Sequence, residues 1–65
     1  MSSADIRPGP LIRQRRKARG ISQVVLAEQV GVDPATVSHV ERGHNAGWTT
    51  IVALLQAVGA EVIVR

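Results

Sequence analysis

The segment from Gly20 to Gly43 limits the fold most strongly, because its pattern is that of two short helices joined by a tight turn. Ser22 is a good N-cap for the first helix, and Gly31 ends it. Asp33 is placed to cap the second helix, with Pro34 at its first helical position. Helices of this length cannot bury a hydrophobic core by themselves. The rest of the chain must therefore support this pair and leave its second helix facing outward.

One further helix is predicted on each side of this segment. The earlier one begins at Gly9 or Pro10 and ends at Gly20, and the later one runs from about Trp48 to Val58. The later helix has apolar residues at positions i, i+3, i+4 and i+7, the spacing of a core-facing stripe: Ile51, Leu54, Leu55 and Val58. We expect Trp48, the sole aromatic residue, to lie over the same core.

The end of the chain differs in character, because residues 61–65 are rich in β-branched side chains and predict a β-strand. A single strand has no partner within this chain. Such a strand pairs with a second copy of the chain, pairs with another protein or stays loose. The simplest closed solution, and our expectation, is that Val62, Ile63 and Val64 pair antiparallel with a second copy across a two-fold axis.

Together these elements predict an all-α domain of four to five short helices, followed by one short β-strand that pairs across a homodimer. Sixty-five residues leave no room for a second domain. The expected organisation is a flexible lead-in at residues 1–8, a helical domain at 9–59 and a dimerisation strand at 60–65.

Positive charge is concentrated in the first helix. The net charge is +3, from eight Lys and Arg against five Asp and Glu, and five of the cations fall within seven residues: Arg13, Arg15, Arg16, Lys17 and Arg19. Such a cluster indicates a polyanionic partner, although a solvated helix face explains it about equally well. Arg16 lies on the apolar side of the helix, so we expect it to point inward and to pair with Glu41.

Several classes of protein are disfavoured by what the sequence lacks. Without cysteine there is neither a disulfide nor a thiolate metal site. Base-stacking modules for single strands or RNA need exposed aromatic residues, and this chain has only Trp48. No apolar run reaches membrane-spanning length and no signal segment follows Met1, so we expect a cytoplasmic protein with no membrane partner.

An enzyme is also disfavoured. His39 and His44 are five residues apart, whereas two metal ligands on one helix need a spacing of three or four. No paired carboxylates, cysteine nucleophile or glycine-rich phosphate loop is present. We therefore expect no catalytic residue, no metal and no cofactor.

The second helix of the central pair has an unusual outward face. Val37 and Val40 are three residues apart and should face the core, and the opposite side carries only small or weakly polar residues: Pro34, Ala35, Ser38 and His39. A solvated helix face would favour Lys, Glu and Gln. Small residues are typical of a face that must approach another surface closely.

A series of short motifs extends this pattern from about residue 9 to residue 59: Ile12, Arg13, Arg16, Gly20, Ile21, Ser22, Gln23, Leu26, Ala27, Val30, Gly31, Val32, Thr36, Val37, Ser38, Glu41, Arg42, Gly43, Thr50, Ile51, Leu54, Leu55, Val58 and Gly59. In these motifs the chain resembles the helix-turn-helix proteins of the Xre family, the Cro and phage-repressor type. The resemblance implies a lambda-repressor-like helical bundle whose second helix of the pair enters the major groove of double-stranded DNA.

The resemblance also implies a role for particular residues. The base-facing positions are Pro34, Ala35, Ser38 and His39. The phosphate-contacting positions are Ser22, Gln23, Arg42, His44 and Asn45. Arg16 and Glu41 match a structural ion pair. Pro34 and Ala35 offer no hydrogen-bond donor, so polar readout rests on Ser38 and His39, and DNA shape contributes correspondingly more.

The tail narrows the resemblance, because a last helix followed directly by a strand is similar to the HipB-like antitoxins. That subgroup implies a homodimeric repressor that binds an inverted-repeat operator, autoregulates a toxin–antitoxin operon and binds a kinase-like toxin. Such a protein is nucleoid-associated when bound to DNA. Two alternatives stay open: a stand-alone Xre-type transcriptional regulator, and a protein-interaction module with no role on DNA. The basic first helix and Gln23 argue against the interaction module.

Overall fold

The computed structural model describes residues 7–44 and 46–60, and all regular structure within these ranges is helical. Helix α1 is Pro8–Ala18, α2 is Gln23–Val30, α3 is Pro34–Glu41 and α4 is Trp48–Ala57. The all-α class is therefore confirmed for the described part of the chain. The predicted strand with Val62, Ile63 and Val64 lies outside the described residues, as does Asn45.

The boundaries of α2 follow from its capping residues. Ser22 has the extended backbone of an N-cap, and its Oγ accepts a hydrogen bond of 3.1 Å from the N–H of Val25. Gly31 ends the helix with φ of +84°, a left-handed conformation that suits glycine, and its N–H donates to the carbonyl of Ala27. The two ends fix the tight turn that leads into α3.

The start of α3 differs in one detail from the prediction. Asp33 has the extended backbone of an N-cap, and Pro34 occupies the first helical position. The carboxylate of Asp33, however, makes no capping hydrogen bond. The helix therefore begins where predicted, with the backbone and Pro34 fixing its start. At the other flank, α1 begins at Pro8, slightly earlier than Gly9 or Pro10, because proline is also well suited to its first turn.

All four helices contribute to one hydrophobic core. Helix α3 packs against α1 and α2, and α4 packs against the same two helices from another side. The buried apolar residues are: Ile12, Leu26, Ala27, Val37, Val40, Leu54, Leu55, Val58 and Ala60. Val32, in the turn between α2 and α3, packs against this cluster and anchors the turn.

The expectation that Trp48 lies over the core is wrong, and two apolar residues of α2 are also exposed. Trp48 is 61% exposed. It is the first residue of α4, and full burial along that helix begins only at Leu54, after the partly buried Ile51. In α2, Val24 is 51% and Val25 is 38% exposed.

At 11 residues, α1 is the longest described helix, and none of the four described helices has the length and apolar character of a membrane span.

Candidate functional site

A buried hydrogen-bond network joins the helices behind the outward face of α3. Glu41 accepts from Arg16 Nε at 2.6 Å, from Arg16 Nη2 at 3.1 Å and from Gln23 Nε2 at 3.1 Å. The remaining Arg16 nitrogen, Nη1, donates to the carbonyl of Ile21 at 3.0 Å. One carboxylate near the end of α3 therefore connects to α1 and to the first residue of α2. The structure places the predicted partners Arg16 and Glu41 in direct contact.

The network favours the charged form of both partners. Burial by itself raises the pKa of Glu41, but hydrogen bonds from Arg16 and Gln23, with the charges of Arg16 and Arg13, outweigh it and lower that pKa. The hydrogen bond to Glu41 raises the pKa of Arg16 against the opposing effect of burial. The pair is consequently ionised at neutral pH. Breaking it by removing one partner would leave a buried charge unpaired, so the network constrains how α2 and α3 are oriented.

The outward face of α3 carries the four residues that the family resemblance predicts to face the bases. Pro34, Ala35 and His39 are exposed, and Ser38 is half-buried. On the other side of the same helix, Val37 and Val40 are buried in the core. Because the exposed side chains in the first turn are small, the backbone of α3 can come close to an opposing surface there.

The turn after α3 brings His44, a predicted phosphate-contacting residue, next to His39 on the outward face. Gly43 has φ of +91°, and its N–H donates to the carbonyl of Val40 at 3.0 Å. The N–H of His44 donates to the carbonyl of His39, also at 3.0 Å, which completes a Schellman motif. This turn folds His44 back onto α3, and the His39 and His44 rings lie edge to face with centroids 5.3 Å apart.

Arg42 lies between these histidines along the chain and is exposed. Its Nε donates to the carbonyl of Ser38 at 3.4 Å, which holds the guanidinium along the last turn of α3. His39, Arg42 and His44 therefore form a polar cluster at the C-terminal end of the outward face. Asn45, the remaining residue predicted to contact phosphate after α3, lies outside the described residues.

Ser22 and Gln23 stand together at the start of α2. The Ser22 hydroxyl caps the helix by accepting from the N–H of Val25. The side-chain amide of Gln23 donates a hydrogen bond to the Glu41 carboxylate. The N–H groups of the first turn of a helix favour an anion such as a phosphate oxygen. Gln23 thus links the start of α2 directly to α3, while its phosphate contact stays a prediction.

The basic cluster of α1 separates into different roles. Arg16 is internal, while Arg13, Arg15, Lys17 and Arg19 are exposed. Arg19 Nη1 donates to the carbonyl of Ala57 at 3.3 Å, at the end of α4, where a cation is favoured by the helix dipole. Sequence reasoning missed this contact, because Arg19 and Ala57 are 38 residues apart. Less outward charge is therefore left for a polyanion than the composition suggests.

Comparison with known proteins bears on most of the chain. A family model described as a helix-turn-helix domain matches residues 9–65, a range that includes all of α2, α3 and the turn between them. Comparison of the sequence with curated proteins gave no match.

Proposed function

The chain belongs to the helix-turn-helix domain family, which indicates a DNA-binding regulator, and from this premise we propose that it is a sequence-specific transcriptional repressor. The observation that carries the proposal is the two-sided character of α3. Its inner side is fixed by Val37, Val40 and Glu41, and its outer side is exposed and small at the first turn. A helix held in this way can enter the major groove and bring its N-terminal residues to base edges.

The proposed contacts fall into two groups. Pro34, Ala35, Ser38 and His39 face the bases; Ala35 is suited to apolar contact with a thymine methyl, and Ser38 and His39 supply the polar readout. The phosphates are contacted by residues at the two ends of the motif: Ser22 and Gln23 before it, and Arg42, His44 and Asn45 after it. Phosphate contacts set affinity and orientation, and base contacts set specificity.

The repressor is proposed to act as a homodimer. The β-branched residues Val62, Ile63 and Val64 would pair antiparallel with their copies across a two-fold axis. The operator would then be an inverted repeat with half-site centres about 10 bp apart, or a multiple of that spacing.

We further propose the HipB-like role, in which the protein represses its own operon and binds a kinase-like toxin. The support is the order of a last helix followed directly by a β-branched tail. A stand-alone regulator shares the DNA-binding part and differs only in having no toxin. A kinase-like reading frame beside the gene, whose product co-purifies with this chain, supports the antitoxin role; a neighbourhood without such a frame favours the stand-alone regulator.

Selection from a pool of random duplexes, followed by affinity measurements at several salt concentrations, tests the DNA-binding function. We expect an inverted repeat to be enriched and log K to fall linearly with log salt concentration, with a slope of about −0.9 per phosphate neutralised. A chain that binds no duplex even at low salt contradicts the proposal and leaves a protein-interaction module.

The dimer is tested by deleting residues 62–65 and measuring the mass in solution by light scattering. Ala60 is buried and its N–H donates to the carbonyl of Leu55, so the deletion leaves the end of α4 intact. We expect a folded monomer with weaker operator binding. A truncated chain that stays a tight dimer contradicts pairing through the tail.

A further inference from the structure

The two histidines of this chain are adjacent in space despite their unfavourable spacing in sequence. A separation of five residues on a continuous helix would put them on different faces. The left-handed Gly43 breaks the helix between them, and the N–H of His44 donates to the carbonyl of His39 at 3.0 Å. Their ring centroids lie 5.3 Å apart with the planes at 71°. The spacing argument against a shared ligand therefore does not apply to the folded chain.

We propose that His39 and His44 together bind a transition-metal ion of the Zn²⁺ class. Neutral imidazole nitrogen is a preferred ligand of zinc, copper and nickel. Two imidazoles that share one tetrahedral zinc have centroids roughly 5 Å apart, because each Zn–N bond is about 2 Å long. The observed separation of 5.3 Å is close to this value, and both side chains are exposed. The site goes beyond the proposed function, since it requires no DNA.

The surroundings set the character of the site. Both rings are exposed, so water molecules would occupy the other coordination positions. No group of three or more His, Asp or Glu residues that could hold a metal is found among the described residues, so within residues 7–44 and 46–60 the proposed ligands are the two imidazoles. Arg42 lies between them in sequence, and Arg7 lines the same groove as His44. Two nearby cations, and two protein ligands within the described part of the chain, make this a weaker, exchangeable site rather than a structural one.

Metal binding would act on the outward face of α3. His39 is one of its two polar base-facing residues, and an imidazole bound to zinc no longer has that nitrogen available to a base. The bound ion would also add positive charge where phosphates are contacted. If the proposed function holds, zinc therefore reduces the discrimination between operator and unrelated duplex.

The test is a calorimetric titration of the full chain, made without a histidine tag, with zinc chloride at neutral pH and in the absence of DNA. We expect one zinc per chain and shifts of the imidazole ¹⁵N resonances of both histidines. His39→Ala and His44→Ala should each reduce zinc affinity at least about tenfold, because even the loss of an outer-shell partner costs roughly 10–100-fold. Acidification should release the ion, because protons compete for the same nitrogens.

Ser38→Ala is the matched control, because it alters the neighbouring position of α3 and leaves both imidazoles in place. Zinc binding that survives in both histidine variants overturns the proposal, and so does a wild-type chain that binds no zinc. Circular dichroism of each variant establishes that its helices are intact. Because this titration contains no DNA, its failure is separate from a failure of the DNA-binding function.

Discussion

Gly9 lies against the backbone of α3, so close that a Cβ atom at this position would overlap the carbonyl oxygen of Val40. The obstacle is backbone, which cannot rotate away as a flexible side chain would. The start of α1 and the end of α3 therefore approach each other at a distance that only glycine permits.

We expect Gly9→Ala to destabilise the fold by about 1–3 kcal/mol, the usual cost of overpacking a core. Urea unfolding followed by circular dichroism measures the loss. Gly47→Ala is the control, because nothing lies within 4 Å of a Cβ there and its φ is −61°. Its loss should not exceed the roughly 1 kcal/mol of a weakened N-cap. Equal losses in the two variants would contradict the close approach.

The Arg16–Glu41 pair predicts strong non-additivity. Glu41→Gln leaves the buried guanidinium without its charged partner and should cost about 3–5 kcal/mol. The double variant Arg16→Met with Glu41→Leu removes both charges and should recover most of that loss. A double-mutant cycle by urea unfolding measures the coupling. If Glu41→Gln is unfolded in water, recovery of a folded double variant still tests the prediction; simple addition of the two single losses contradicts it.

The lowered pKa of Glu41 predicts an acid-sensitive fold. Because the folded pKa lies below the unfolded value of about 4.3, the stabilisation is fully present above that pH and is lost as the pH falls through the folded pKa. Urea midpoints measured from neutral pH downward should therefore decline in acid, and Glu41→Gln should flatten this decline. Glu28→Gln, at an exposed position of α2, should keep it. If wild type and Glu41→Gln lose stability in parallel as the pH falls, the acid sensitivity comes from groups other than Glu41.

The two groups of proposed DNA contacts should differ in what their variants change. Ser38→Ala or His39→Ala should reduce the preference for operator over a scrambled duplex by about 1–3 kcal/mol. Gln23→Ala should weaken binding to every duplex alike, through the lost phosphate contact and the lost hydrogen bond to Glu41. Fluorescence anisotropy on both duplexes at one salt concentration separates these results. Intact operator preference in both α3 variants would mean that another face reads the bases.

Local signals in the sequence predicted the helices well. Ser22, Gly31 and Pro34 act through their own backbone and near neighbours, so the bounds of α2 and α3 follow from them. The inward direction of Arg16 followed from its position one turn after Ile12. The pattern thus indicated both the central pair of helices and the residues that support it.

Features that depend on distant neighbours could not be predicted in the same way. Periodicity gives the direction of Trp48 but not whether another helix reaches it, and it is 61% exposed. In α2 the consecutive apolar residues Val24 and Val25 leave the buried side ambiguous in so short a helix. The contact between His39 and His44 depends on a left-handed turn, which residue spacing alone does not reveal. In the sequence, Gly9 between two prolines indicates only a turn; its close contact with α3 depends on the packing of two helices that are distant in sequence.

The division of α3 into two sides has a consequence for how such a protein can change. Val37, Val40 and Glu41 hold the helix in place, while Ala35 and His39 face away from the core. Substitutions at the outer positions should therefore alter the recognised sequence at little cost to folding. The domain is in this sense an adaptable scaffold: a library varied only on the exposed side of α3 should yield folded proteins with new operators.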